Sequence, residues 1–155
     1  MDQNLLRSYI STVYELPSAG GTIRVSLDGE ILKNDGDLPD LLRQPFAILT
    51  AYNPRSMLLP RKVNDSRHQV MRDLLILGCY RVETCVGLED EPDAAWREPS
   101  WLVHSIDRQE AIDFGRTFRQ NTIVYCRDTR PELIVTDPTC DELGRTYAGH
   151  WRIRQ

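Results

Sequence analysis

The strongest hydrophobic signal in the chain is a short apolar run over residues 46–52 that passes directly into polar residues. Five of its first six residues are apolar, which predicts a strand that is buried on both faces. The Asn-Pro dipeptide that follows ends the strand, because proline has no N–H to donate and restricts the residue before it. Asn53, Arg55 and Ser56 are therefore expected at the carboxyl end of a central strand, where open sheets often bind ligands.

Apolar residues spaced three and four apart predict helices over residues 5–16, over residues 63–78 and after Asp107. The inner stripe of the second helix is expected to contain five apolar side chains: Val63, Val70, Met71, Leu74 and Leu75. Three polar residues are candidates for its N-cap: Asn64, Asp65 and Ser66. Gly78 is expected just after its end, and Asp107 is expected to cap the third helix.

Alternating apolar and polar positions predict the remaining strands, which are expected over residues 22–27, 80–86, 100–105, 121–126 and 132–136. Asp28 and Gly29 form a dipeptide that favours a tight hairpin turn, so residues 30–32 are expected to form the return strand. The stretch from 34 to 45 is rich in turn residues and is expected to be a loop with one helical turn.

The order of elements from residue 46 to residue 126 is strand, helix, strand, strand, helix, strand. This order predicts an α+β fold with a ferredoxin-like split βαβ sandwich core. Residues 1–45 are expected to add an N-terminal helix and hairpin extension, and the last predicted strand is expected to extend the core to residue 136. With a tail over residues 137–155, the chain of 155 residues is expected to form one domain. Two questions stay open: whether residues 20–32 join the main sheet, and what the tail does.

Composition narrows the classes of function. The chain is 41% apolar and 27% charged, as is usual for soluble globular proteins, and its net charge of −4 disfavours nucleic-acid binding. The apolar runs are too short for a membrane span, and no secretory signal is recognisable, so a cytoplasmic protein is expected. The four cysteines show no C-x-x-C spacing and the three histidines lie far apart, so no metal site is expected. The chain has no phosphate-loop or dinucleotide motif, and no cofactor is expected.

Polar residues at the ends of the predicted elements form a candidate site. Glu98 is the candidate acid or base, and its pKa should rise if it is buried beside Trp96; His68 is a reserve base. Seven further residues are candidates for ligand binding: Asn53, Arg55, Asn64, Arg67, Ser100, Gln120 and Asn121. The two arginines would offer guanidinium groups that suit a carboxylate or a phosphate.

Six of these residues also have a purely structural explanation. Asn53 is a common turn residue before proline, and Asn64 is a common helix cap. Arg67 and His68 would be at home on a solvated helix face, and Gln120 and Asn121 would suit the end of a helix.

The same residues carry a resemblance to a known family. The T-A-x-N-P motif at 50–54, Asn64 before a leucine-rich helix, the W-x-E-x-S motif at 96–100 and the F-x-Q motif at 118–120 resemble those of a small bacterial family. That family is known only as a domain of unknown function, and the resemblance covers residues 46–135. It implies no activity and no cofactor.

Two hypotheses about function remain. In the first, the protein binds a polar or anionic small molecule, such as a nucleotide-like metabolite, at the end of the central strand, and whether it also catalyses a reaction stays open. In the second, it is a regulatory or protein-interaction module without catalytic activity, which leaves open a homodimer or another protein partner.

Overall fold

The computed structural model describes residues 3–28, 40–89, 96–140 and 142–154. Within these ranges the chain forms one curled nine-stranded antiparallel sheet and four α-helices. The helices are α1 Gln3–Ser11, α2 Asp40–Arg43, α3 Arg61–Leu77 and α4 Arg108–Thr117. The strands are β1 Val13–Ser18, β2 Gly21–Ser26, β3 Phe46–Leu49, β4 Val82–Leu88, β5 Arg97–His104, β6 Thr122–Arg127, β7 Arg130–Val135, β8 Thr146–Ala148 and β9 Arg152–Arg154. The predicted mixed class of helices and strands is therefore confirmed.

The sheet has the strand order β8-β7-β6-β3-β5-β4-β1-β2-β9. Strand β3 lies in its interior and pairs with β5 on one side and β6 on the other, both antiparallel. All four of its residues are buried, as the continuous apolar run requires. The strand is shorter than predicted, because it ends at Leu49 and the residues up to 52 run on without strand pairing.

Successive residues of β3 supply two hydrophobic cores, one on each face of the sheet. Ala47 and Leu49 contact the core formed with α3 and α4, which also contains Met71, Leu75 and Ala111. We call this side the α3–α4 face. Phe46 and Ile48 contact the core on the opposite side, which is covered by α1, α2 and Trp151. We call this second side the α1 face.

The prediction for the inner stripe of α3 is confirmed for Met71 and Leu75 and wrong for the other three residues. The buried residues of the helix are Asn64, His68, Met71 and Leu75, whereas three of the predicted stripe residues are 43–52% exposed: Val63, Val70 and Leu74. Polar residues occupy half of the buried face because each contacts a specific neighbour, as described below. The helix begins at Arg61 after Pro60, so Asn64 lies within its first turn and does not cap it. Gly78 follows the last residue of the helix, as expected, and the next residue, Cys79, takes the left-handed conformation, with φ 64°.

The N-terminal prediction needs a similar correction. Helix α1 ends at Ser11, and residues 13–18 form β1, because their apolar side chains face the α1 core while the backbone pairs with β2 and β4. The hairpin is thus β1–β2, and it belongs to the main sheet. The predicted return strand at 30–32 lies outside the described residues.

The tail closes both edges of the described sheet. Strand β8 pairs with β7 at one edge, and β9 pairs with β2 at the other. Between them Trp151, which is 2% exposed, stacks on Phe46 with ring centroids 5.9 Å apart. The tail is therefore part of the hydrophobic core. None of the helices in the described ranges is long and apolar enough to span a membrane.

Candidate functional site

A cavity of about 730 Å³ lies between helix α1 and the α1 face of the sheet. Ser8 and Tyr9 line it from α1, and Tyr14 lines it from β1. Thr50 and Ser100 line it from the strand region below. Alternation explains the last two residues, because they continue the α1-facing positions of β3 and β5.

Two described carboxylates line this cavity, Glu89 and Glu98, and Glu98 is the less exposed of the two. Residue 98 has the same parity as Leu102 in β5, and the side chain lines the cavity. Burial raises the pKa of Glu98 to about 7, and the hydrogen bonds from Asn53 and Thr50 offset only part of this rise. The Nδ2 of Asn53 lies 3.4 Å from Glu98 Oε2. At neutral pH the carboxyl is therefore divided between its protonated and ionised forms.

Asn53 is held in place by Asn64. The backbone N–H of Asn53 donates to Asn64 Oδ1 at 3.0 Å, and Asn64 Nδ2 donates to Asn53 Oδ1 at 2.8 Å and to the carbonyl of Leu59 at 3.2 Å. Asn53 adopts a left-handed conformation with φ 43°, which asparagine tolerates better than most residues. Asn64 thus fixes the turn that directs the Asn53 amide towards Glu98.

The residues that follow helix α4 form the next part of the wall. Gln120 Nε2 donates to the carbonyl of Tyr52 at 2.9 Å. Asn121 Nδ2 donates to the hydroxyl of Tyr9 and to Ser56 Oγ, both at 2.9 Å. These contacts connect α1 to the turn after β3 and leave Gln120 and Asn121 lining the cavity.

The two arginines of the predicted site are committed to the protein itself. Arg55 Nη1 donates to the carbonyl of Gln120 at 2.9 Å and forms an ion pair with Asp137 at 3.2 Å. Arg67 donates from Nε to the carbonyl of Ala51 at 2.9 Å and from Nη2 to that of Phe118 at 2.7 Å. Neither side chain lines the cavity. Their guanidinium groups stabilise loop conformations, which the sequence pattern did not reveal.

His68 lies on the α3–α4 face and away from the cavity. It is 8% exposed and stacks on Trp101 with ring centroids 4.3 Å apart. Burial lowers the pKa of His68 to about 4, so the ring is neutral at physiological pH. Its backbone carbonyl accepts a hydrogen bond from Trp101 Nε1 at 3.1 Å. The structure therefore separates the reserve base from Glu98.

The structure thus brings together five of the nine predicted site residues around the cavity: Asn53, Glu98, Ser100, Gln120 and Asn121. Asn64 and Arg55 do not line the cavity, but they form hydrogen bonds with Asn53 and Gln120, respectively. Sequence reasoning missed Tyr9, Thr12 and Tyr14, because apolar periodicity assigned α1 and the start of β1 to a single core helix. Burial and the nearby Glu98 raise the pKa of Tyr14, so its phenol stays protonated.

Replacing Asn64 with alanine is expected to lower the free energy of unfolding by about 2 kcal/mol, because the backbone N–H of Asn53 loses its acceptor and the Asn53 side chain loses one of its donors in a half-buried turn. Urea denaturation measures the loss. The matched control is Ser66→Ala on the same helix, whose exposed hydroxyl only bonds the carbonyl of Lys62, and which should change stability by less than about 0.5 kcal/mol. Equal losses in the two variants would show that Asn64 does not hold the turn.

Residues 49–123 match a family described as "Protein of unknown function (DUF3293)". The matched segment runs from the end of β3 to the start of β6 and contains all nine predicted site residues. The resemblance to a family known only as a domain of unknown function is thus confirmed. No curated protein and no solved structure matches the chain.

Proposed function

We propose that the protein binds a polar, metabolite-sized molecule in the cavity beneath α1, and that Glu98 forms a hydrogen bond with this molecule or exchanges a proton with it. The observation that carries this proposal is a carboxyl with a pKa of about 7 in a cavity of about 730 Å³. That volume falls within the range of roughly 300–1,000 Å³ that small-molecule sites occupy. We propose a cytoplasmic metabolite, in keeping with the expected location.

The chemistry of the wall suits a ligand rich in hydrogen-bonding groups. Amides from Asn53, Gln120 and Asn121 and hydroxyls from Thr50 and Ser100 lie around the same space as Glu98. A carboxyl that is half protonated near neutral pH can act as a general acid or base, because its pKa is close to the operating pH. These groups therefore support orientation of a ligand by the amides and hydroxyls and proton transfer by Glu98.

We further propose that the segment from β3 to β6 is a ferredoxin-like split βαβ unit. Its support is the neighbour order β6-β3-β5-β4, in which all three pairs are antiparallel, together with the packing of α3 and α4 on one face. In this arrangement the loop after β3 and the start of β5 meet at one end of the sheet, which would explain why Asn53 and Glu98 are neighbours.

The alternative is a protein-interaction module that forms a homodimer. One observation favours it: α3 presents four exposed apolar side chains at helical spacing, namely Val63, Val70, Leu74 and Leu77. Light scattering would then show a dimer that Leu77→Lys dissociates. A monomer at all concentrations would end this alternative.

A thermal-shift screen tests the cavity proposal. The library should contain nucleotides, carboxylates, sugars and amines, since a ligand at 100 times its dissociation constant adds about 2.7 kcal/mol of stability. The wild type and the control Asp113→Asn, which removes an exposed carboxylate on α4, are expected to respond alike. Glu98→Gln is expected to respond less. If no compound shifts the wild type, or if Glu98→Gln responds as strongly as the wild type, the proposal is wrong.

A further inference from the structure

The charged groups that line the described cavity carry one sign only. Glu98 and the exposed Glu89 contribute carboxylates, and none of the lining residues in the described ranges is lysine, arginine or histidine. Two arginines that flank lining residues in the sequence are paired with carboxylates and do not line the cavity: Arg55 with Asp137, and Arg97 with Glu15 at 3.1 Å. An anionic ligand would therefore face carboxylates without a compensating cation.

The same cavity has aromatic walls. Trp96, Tyr9 and Tyr14 line it from three different segments of the chain. Trp96 is 37% exposed, and its ring lies over Gly87, where an added Cβ would be 3.6 Å from the ring. The faces of tryptophan and tyrosine rings attract cations, and aromatic walls next to a carboxylate are a recurring way to bind organic ammonium groups.

We propose that the cavity selects an organic ammonium ion, held by the Glu98 carboxylate and the aromatic rings of Trp96, Tyr9 and Tyr14. This inference rests on the proposed function, because it names the class of ligand for the same cavity. A metal ion fits the walls less well, since no group of three His, Cys, Asp or Glu side chains in the described part of the chain could hold one. A neutral polyol would use the hydroxyls and amides but would gain nothing from the carboxylate.

Binding of a cation should depend on pH through Glu98. Four ionisable groups interact with Glu98 through charge or line the same cavity: Tyr14 on β1, Tyr52 after β3, Tyr9 on α1 and Glu89 after β4. Burial raises the pKa of both Tyr14 and Tyr52, in the latter case to about 12, so these two stay neutral between pH 6 and pH 8. With a Glu98 pKa of about 7, its ionised fraction rises about tenfold over that interval, and the affinity for a cation should rise by the same factor.

Three probes of similar size and shape test the inference: tetramethylammonium, tert-butanol and pivalate, which carry a positive charge, no charge and a negative charge. Each is titrated into the full chain, and amide NMR shifts are followed at Thr50, Ser100 and Asn121. Tetramethylammonium is expected to give saturable shifts, and the dissociation constant obtained from them should be about tenfold lower at pH 8 than at pH 6. Glu98→Gln should abolish this dependence on pH, and Asp113→Asn should retain it.

The outcomes separate the two proposals. Stronger binding of tert-butanol or pivalate than of tetramethylammonium at these residues would overturn the inference and leave the cavity as a binding site. Tetramethylammonium binding that is unchanged in Glu98→Gln, or shifts that lie outside the cavity, would also overturn it. If none of the three probes shifts these residues, the inference is wrong, and a thermal-shift screen without a responding compound would reject the proposed function as well.

Discussion

Replacing Trp151 with alanine is expected to lower the free energy of unfolding by about 3–5 kcal/mol, the usual cost of deleting a buried aromatic side chain. Trp151 is 2% exposed, stacks on Phe46 and donates from Nε1 to the Sγ of Cys126 at 3.4 Å. Its loss would open a cavity in the core of the α1 face. It would also remove the buried side chain that directly precedes β9, the strand that pairs with β2. Urea denaturation at constant pH measures the effect.

Ile153→Ala is the matched control for Trp151. Ile153 lies two residues further along the same tail, pairs with Val25 across the sheet edge and is 39% exposed. Its truncation should cost less than about 1 kcal/mol, because more than a third of the residue stays exposed to solvent. If Trp151→Ala were no more destabilising than Ile153→Ala, the tail would not belong to the core.

Replacing Glu98 with glutamine is expected to stabilise the protein at pH 8. The pKa of Glu98 is raised from 4.5 to about 7. Between pH 4.5 and pH 7 the carboxyl is therefore protonated in the folded state and ionised in the unfolded state. The stability that this proton provides is fully present below about pH 4.5 and is lost as the pH rises through 7. The loss is on the order of 3 kcal/mol, because each pKa unit corresponds to about 1.4 kcal/mol. Glutamine cannot ionise and avoids this loss.

The measurement is urea unfolding of the wild type, Glu98→Gln and Asp113→Asn at pH 5 and pH 8. Asp113→Asn removes a carboxylate that is exposed on α4 and bonds Gln109, so it should follow the wild-type dependence on pH. Glu98→Gln should gain stability over the wild type only at the higher pH. A gain of equal size at both pH values would assign the effect to packing and not to ionisation.

The sequence predicted those features that depend on residues close to one another in the chain. The apolar run at 46–52 predicted an interior strand, which forms over Phe46–Leu49. The cap at Asp107 was also identified from the sequence, and its side chain accepts a hydrogen bond from the N–H of Gln109 at 2.8 Å. Asn53 and Asn64 were expected in one site, but the hydrogen bonds between them could not be predicted, because they depend on how two segments meet in space. The same reason explains the error on α3, where Asn64 and His68 are buried by their particular neighbours while Val70 is exposed.

Some residues of the candidate site could likewise be identified from the sequence, and others could not. Glu98 and Asn53 could be identified because polar residues stand out at the ends of apolar elements. Arg67 stood out equally, yet backbone carbonyls of distant segments occupy its guanidinium. Tyr9 and Tyr14 were missed because a tyrosine that lines a cavity and a tyrosine in a core give the same pattern along the chain.

The proposed site depends on Glu98, a half-buried carboxyl that lines a ligand-sized cavity and exchanges a proton near neutral pH. Its most direct test is an NMR titration of the ¹³C signal of the Glu98 carboxyl, assigned by its absence in Glu98→Gln. The structure predicts a titration midpoint at a pH of about 7. A midpoint near the ordinary glutamate value of 4.5 would show that water solvates the carboxyl freely, and would contradict the proposed site.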